Sequence, residues 1–167
     1  MIRRLIGAAA EGDCEALLGV LETGCDVNAA DVDGGFTALM AASLFGHRDA
    51  VELLLCSGAD LNRKDRTGMT ALDYAVLQSH LHVIERFVLD PRLDRTTTDY
   101  QGHTVLINAV IAGDFNVIEF LLKNGFDPNA DCPLVVNPLL YAIRKGKNNI
   151  ADLLRLHGAR EITHESS

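Results

Sequence analysis

The chain has 167 residues, of which 48% are apolar and 23% charged, with a formal net charge of −8. That acidic balance argues against nucleic-acid binding through a basic face, and permits a basic or mixed protein partner without demanding one. Aromatic residues make up 5% and tryptophan is absent, a composition suited to helices that stack closely through small residues, and no apolar run is long enough to span a bilayer.

In chain order, Met1-Ile-Arg-Arg-Leu-Ile-Gly-Ala-Ala-Ala10 places two basic residues before an apolar run, as an export signal would. The run stops at Glu11, and Ala8 and Gly12 already fall in phase with the later pattern, so the stretch is expected to be a first helix. Arg3, Arg4, Glu11, Asp13 and Glu15 would keep its outer side wet. A second helix is predicted over Cys14 to Glu22, stopped by Gly24 in the left-handed conformation. Asp31-Val-Asp-Gly-Gly-Phe36 reads as a hairpin-like turn. Thr37 then caps a helix whose Leu39 and Ala42 face its neighbours, and Val51, Leu54 and Leu55 stripe the next one.

The third segment is irregular. It turns at Asp65-Arg-Thr-Gly-Met69, places Ser79 where a turn glycine belongs, and sets Asp90-Pro91 where a terminating glycine belongs. Proline still stops the helix. Arg92 to Thr98 is expected to be a polar, extended connector, and its junction with the next segment the softest point of the chain. Regularity returns with the turn Asp99-Tyr-Gln-Gly-His103, the break at Gly113-Asp114, and a packing stripe of Val117, Phe120, Leu121 and Leu122. Cys132-Pro-Leu-Val-Val136 lacks a turn glycine, although Asn137-Pro138 still sets an N-cap and a first-turn proline. The last helix carries Asn148, Asn149, Asp152, Arg155 and His157, polar enough to close a stack, before a frayed tail.

Set in register, an alanine recurs at Ala8, Ala42, Ala75, Ala109 and Ala142, at spacings of 34, 33, 34 and 33. Gly12, Gly46, Ser79, Gly113 and Gly146 follow four residues later, and Gly24, Gly58, Pro91, Gly125 and Gly158 twelve beyond those. Helices open on Thr37-Ala-Leu-Met, Thr70-Ala-Leu-Asp, Thr104-Val-Leu-Ile and Asn137-Pro-Leu-Leu, and segments close on Asp26-Val-Asn28, Asp60-Leu-Asn62 and Asp127-Pro-Asn129. This pattern resembles the ankyrin-repeat family over about residues 4 to 160. The resemblance implies an all-α solenoid of helix-turn-helix units with short β-hairpin-like turns. It would form a single domain over 1–160, with repeats at about 1–30, 31–64, 65–98, 99–130 and 131–160 and a tail over 161–167.

Catalytic and metal-binding constellations are not expected, and neither is a cofactor. His80 and His82 lie two apart, on different sides of a helix, and His80 repeats the turn position of His47. An imidazole there is expected to bond the backbone of an adjoining repeat rather than a metal. Gly34-Gly35 lacks the lysine and spacing of a phosphate loop. Asp31, Asp65 and Asp99 recur with the period, which suits local acceptors of backbone N–H groups better than acids or bases. The cysteines Cys14, Cys25, Cys56 and Cys132 are spaced singly and read as buried or half-buried free thiols in a reducing compartment.

In the family that the chain resembles, hairpin tips and first-helix ends line a concave face that binds a partner. Carried over, the tips are Phe36, Met69, Tyr100, His103 and Val136, and the helix ends are Leu44, Phe45, Leu77, Gln78, Ile111, Ala112, Arg144 and Lys145. Leu44, Phe45, Leu77 and Ile111 are apolar where the family tolerates polar residues. They form either an exposed binding strip or side chains folded back as core. Leu21 to Asn28, with Leu55 to Asn62 and Leu122 to Asn129, resembles the site of an asparaginyl hydroxylase, which implies modification at Asn28, Asn62 and Asn129. The alternative is that these asparagines only cap the turn. The resemblance thus implies a non-enzymatic, monomeric module of the cytoplasm or nucleus that binds another protein, as an extended peptide or a helix, and neither nucleic acid nor membrane. Other readings are an inhibitor of a kinase or transcription factor, or the targeting part of a larger scaffold, enzyme or channel.

Overall fold

The structure is a computed structural model that describes residues 1–130 and 137–161. The expectations for Cys132, for Val136 and for the tail from 162 onward lie outside the described residues. Two compact units are present, Met1–Asp94 and Arg95–Ser167.

The first unit holds three helix pairs: α1 (Ile2–Glu11) with α2 (Cys14–Glu22), α3 (Ala38–Leu44) with α4 (Arg48–Cys56), and α5 (Ala71–Leu77) with α6 (Leu81–Val88). None of these helices is long enough to be stable alone in water, so burial against neighbours must hold each in place. First helices pack on first helices, α1 on α3 and α3 on α5, and second helices on second, α2 on α4 and α4 on α6. Leu39, Ala42, Val51, Leu54 and Leu55 are buried in these layers, as their spacing predicts. The first pair's Arg3, Arg4, Glu11, Asp13 and Glu15 are exposed.

Local chemistry sets the boundaries. Asp13 and Thr37 accept from the amides of Ala16 and Met40, each satisfying a donor that the first helical turn leaves open. Thr70 accepts from the Asp73 amide, and the Asp73 carboxylate accepts from the Thr70 amide and hydroxyl in return, a reciprocal cap. The predicted turn at Asp31–Phe36 is closed by an isolated antiparallel bridge between Ala30 and Thr37.

The third pair shows how the chain manages without two of its glycines. Ser79 takes φ +57°, in the left-handed region that glycine enters without steric cost. At Asp90, 5% exposed, the carboxylate accepts from the Arg92 amide at 3.1 Å, Arg92 Nε at 2.9 Å and Arg92 Nη2 at 2.8 Å, with Arg86 at 3.4 Å. Arg86 also pairs with Glu52 on α4. These contacts correct the expectation of an extended connector: the chain turns at Pro91–Arg92 and again at Arg95–Thr96, and Leu93 is buried.

The second unit holds α7 (Val105–Ala112) with α8 (Phe115–Lys123), and α9 (Pro138–Arg144) with α10 (Asn148–Leu156). Thr104, Asp114 and Asn137 cap α7, α8 and α9, with Pro138 in the first turn of α9. On α8 the buried residues are Val117, Ile118, Leu121 and Leu122. Ile118 therefore replaces Phe120 in the predicted stripe, and Phe120 is only half-buried. On α10, Ile150, Ala151, Leu153 and Leu154 are buried while Asn148, Asn149, Asp152 and Arg155 are exposed.

Two predictions test the third pair. Ser79→Gly should stabilise the protein by about 0.5–1 kcal/mol, the left-handed penalty less glycine's entropy cost, read by urea unfolding. The Asp90 carboxyl is held well below the usual range by the Arg92 guanidinium beside it, against the opposing effect of burial. A carboxyl depressed in the folded state stabilises fully above its ordinary value of 3.8, and that contribution is lost as pH falls below it. Asp90→Asn should cost about 1–3 kcal/mol near pH 7, and the gap from wild type should shrink on acidification. A gap independent of pH would rule out the ionised carboxylate as its source.

Candidate protein-binding surface

The sequence-predicted residues fall on two kinds of place, turns that precede first helices and the C-terminal ends of those helices. In each of the three described turns an aspartate fixes the backbone. Asp31 Oδ1 accepts from the Gly34 and Phe36 amides, Asp65 Oδ1 from those of Thr67 and Met69, and Asp99 Oδ1 from those of Gln101 and His103. The Phe36 and Gly34 amides draw the Asp31 carboxyl below its ordinary value. Burial pushes Asp65 up, but the Thr67 and Tyr74 hydroxyls and the Met69 and Thr67 amides outweigh it and leave its pKa lowered. Burial and this Asp65 contact at 2.6 Å raise the Tyr74 phenol. These aspartates are the local acceptors that their periodicity predicts.

Phe36 is half-buried, with its ring edge-on to Tyr74 at 5.1 Å between centroids. Met69 is half-buried as well. Tyr100 is 66% exposed at its turn. His103 is half-buried, with Nδ1 3.0 Å from Asp99 Oδ2. The tips therefore differ: Tyr100 projects, whereas Phe36 and His103 are held by partners within their own unit.

At the helix ends, Leu44 and Leu77 close α3 and α5 and are half-buried, as is Ile111 in the last turn of α7. One position further on, Phe45 is 55% exposed at the C-cap of α3, and Gln78 is exposed at that of α5. Ala112, Arg144 and Lys145 are exposed in the second unit, with Lys145 Nζ 5.7 Å from the Tyr141 ring centroid. Exposed apolar area at the helix ends thus centres on Phe45, with Leu44, Leu77 and Ile111 partly covered.

The backbone that presents these ends is anchored from the next repeat. His47 Nε2 donates to the Ala10 carbonyl at 2.9 Å, and His80 Nε2 to that of Leu44 at 3.0 Å. Both act as the turn imidazole was expected to act. His82 Nε2 donates to the Gly46 carbonyl at 2.8 Å, so the paired histidines serve different carbonyls. In the second unit Lys147 replaces the imidazole, and its Nζ donates to the Val110 and Ile111 carbonyls at 2.7 and 3.0 Å. Sequence reading missed this lysine, although its register with His47 and His80 marks the place. Equally unforeseen, the Arg66 guanidinium donates to the Asp33 and Val32 carbonyls at 2.6 Å each, tying one turn to the next.

The repeat-end asparagines do more than cap their own turns. Asn28 Nδ2 donates to the Gly58 carbonyl and its Oδ1 accepts from the Asp60 amide. Asn62 does the same with Arg92 and Asp94, and Asn129 with Gly158 and Arg160. Of the described cysteines, Cys14 and Cys25 are half-buried and Cys56 is exposed, which corrects the expectation of covered thiols at Cys56. Among the described residues no helix is long and apolar enough to cross a membrane.

A family model described as ankyrin repeats (3 copies) matches residues 5–99 and 80–165. FPV223 of fowlpox virus (strain NVSL), a protein named for its ankyrin repeats, is 30% identical over 128 residues, covering 77% of this chain and 89% of its own. YahD of Escherichia coli (strain K12), named likewise, is 25% identical over 190 residues, covering 91% of this chain and 94% of its own. In the ankyrin repeat protein nuc-2 of Neurospora crassa the match is 28% over 161 residues, 95% of this chain but 15% of that one. The chain belongs to the ankyrin repeat family, with the all-α fold its pattern predicts. Ankyrin repeats are protein-interaction modules, typically without enzymatic activity.

Asn62→Ala removes a bridge made at 2.8 and 2.9 Å. It should cost about 1–2 kcal/mol in urea unfolding, and Asn62→Asp, which keeps the acceptor but loses the donor, should fall between it and wild type. Equal stability of all three proteins would mean that water replaces the bridge at no cost.

Proposed function

We propose that this chain binds a partner protein, as an extended peptide or a helix, through its hairpin tips and first-helix ends, and performs no chemistry itself. The observation that carries this reading is Phe45: a large aromatic, 55% exposed, on a backbone pinned by the His80 bond to the adjoining Leu44 carbonyl. An exposed aromatic on a fixed backbone suits a binding anchor, since little conformational entropy remains to be lost on docking. Gln78 in the first unit, and Tyr100, Arg144 and Lys145 in the second, supply polar and cationic contacts. Met69 and Leu77 belong to the candidate surface of the first unit, and His103 and Ile111 to that of the second. The module acts as a monomer in the cytoplasm or nucleus, and nucleic acid and membrane are not its targets. A second reading, that it is the targeting module of a larger scaffold, enzyme or channel, is supported by relatives such as nuc-2, where the matched stretch is 15% of the whole.

Affinity capture with the full chain tests the reading beside Phe45→Glu, with folding of the variant checked by circular dichroism. Wild type should retain a specific protein whose affinity for the variant is at least about tenfold weaker. Undiminished retention by the folded Phe45→Glu variant and by a folded Arg144→Glu/Lys145→Glu variant would place binding elsewhere.

A further inference from the structure

The first unit's binding surface is uncharged at Phe45 and Gln78, but the same position one repeat earlier carries a carboxylate. Glu11 stands 34 residues before Phe45, as Ala8 does before Ala42, and like Phe45 it is exposed. One imidazole links the two. His47 Nε2 donates to the Ala10 carbonyl at 2.9 Å, and an atom of its ring would lie 2.6 Å from a Cβ on Gly12, so it holds the backbone on both sides of Glu11. The Phe45 ring lies 6.5 Å from that same ring, centroid to centroid, with 30° between their planes.

Folding does not call for a charge at Glu11. It is the last residue of α1, whose final turn holds no basic residue, and a carboxylate at that end opposes the helix dipole. Asp13 and Glu15, exposed just beyond it, suit the positive start of α2 instead. Among the described residues the Glu11 side chain makes no ion pair or hydrogen bond. Between Arg4 and Arg48 the sequence holds no lysine or arginine but seven aspartates and glutamates. Arg48 itself stands four residues before Glu52 on α4. The Glu52 carboxyl is drawn below its ordinary value by the Arg86 guanidinium that donates to it and, to a lesser degree, by Arg48, against the opposing effect of burial.

We propose that the partner seats a basic side chain here, an arginine or lysine whose head group pairs with Glu11 and whose stem lies along the Phe45 ring. This rests on the reading that Phe45 anchors binding, and adds the charge that the partner brings to it. A cation so placed meets the carboxylate and the partial negative charge of the helix end together, while its methylenes cover the aromatic face. An acidic side chain in the same place is repelled.

The test selects a random peptide library against the full chain and measures the affinity of each enriched peptide for wild type, Phe45→Glu and Glu11→Gln. Peptides that depend on Phe45 should carry arginine or lysine, and should bind Glu11→Gln about three- to fivefold more weakly at low salt, a difference that fades at high salt. Glu11→Gln should keep the wild-type circular dichroism and a Tm no lower than wild type, since it removes a charge the helix end disfavours. Selection against Glu11→Lys should favour acidic peptides. The proposal is overturned, and the reading of Phe45 left standing, if Phe45-dependent peptides lack a basic residue, bind folded Glu11→Gln as tightly as wild type, or stay basic when selected against Glu11→Lys. If no selected peptide loses affinity for folded Phe45→Glu, both fall. Should Glu11→Gln fail to fold, replacing the peptide's basic residue by glutamine decides on the wild-type chain, where unchanged affinity overturns the proposal.

Discussion

Helices of seven to ten residues leave their last four carbonyls without intrahelical partners, and this chain closes several of them from the following repeat. His47 reaches the end of α1, His80 the end of α3 and Lys147 the end of α7. Such a bond binds the end of one helix to the start of the next pair, so a repeat is completed by its successor. The glycine beside each histidine belongs to the same device. A Cβ on Gly46 would lie 2.8 Å from a His80 ring atom, and one on Gly12 2.6 Å from a ring atom of His47. Both glycines also sit at positive φ, so a side chain there would be strained by the backbone and blocked by the imidazole at once.

Where the device changes, the chemistry changes in a recognisable way. Lys147 carries out the histidine's task with a flexible ammonium, close enough that its Nζ would lie 2.9 Å from a Cβ on Gly113. Asp114, in the same register, has no N–H to give a carbonyl and turns to its own helix, accepting from the Asn116 and Val117 amides. The end of α6 shows a similar exchange. With no terminating glycine, a buried carboxylate at Asp90 gathers the Arg92 amide and guanidinium, and the charge that the aspartate brings is neutralised on the spot.

The fold was legible because the period repeats caps, turns and stripes together: Thr37, Thr70 and Thr104 cap, Asp31, Asp65 and Asp99 fix the turns, and Ser79 still takes the conformation of the glycine it replaces. What misled was local. Phe120 and Ile118 are both apolar on α8, and only the packing of α8 with α7 and α10 decides that Ile118 is the covered one. Arg92 to Thr98 looks polar and extended because its composition hides the bonds that Asn62 makes to Arg92 and Asp94. The candidate surface was less legible still. Its members were chosen by register, and register does not say whether an apolar side chain at a helix end lies over its neighbour or away from it.

Comparing successive registers separates the two cases. Leu44, Leu77 and Ile111 occupy one position and are all aliphatic and half-buried, and only Arg144, in the same register of the last pair, is charged and exposed. The next position holds Phe45, Gln78, Ala112 and Lys145, all exposed and alike in nothing else. Stacking imposes no common residue type there, so the differences between repeats are free to serve recognition. The periodic groups, meanwhile, are engaged in holding backbone: imidazoles on helix ends, carboxamides across repeat ends, carboxylates in turns. A surface built this way keeps its scaffold in the repeating residues and its specificity in the position that does not repeat, and for that reason Phe45, rather than the equally apolar Leu44, is the side chain on which binding should turn.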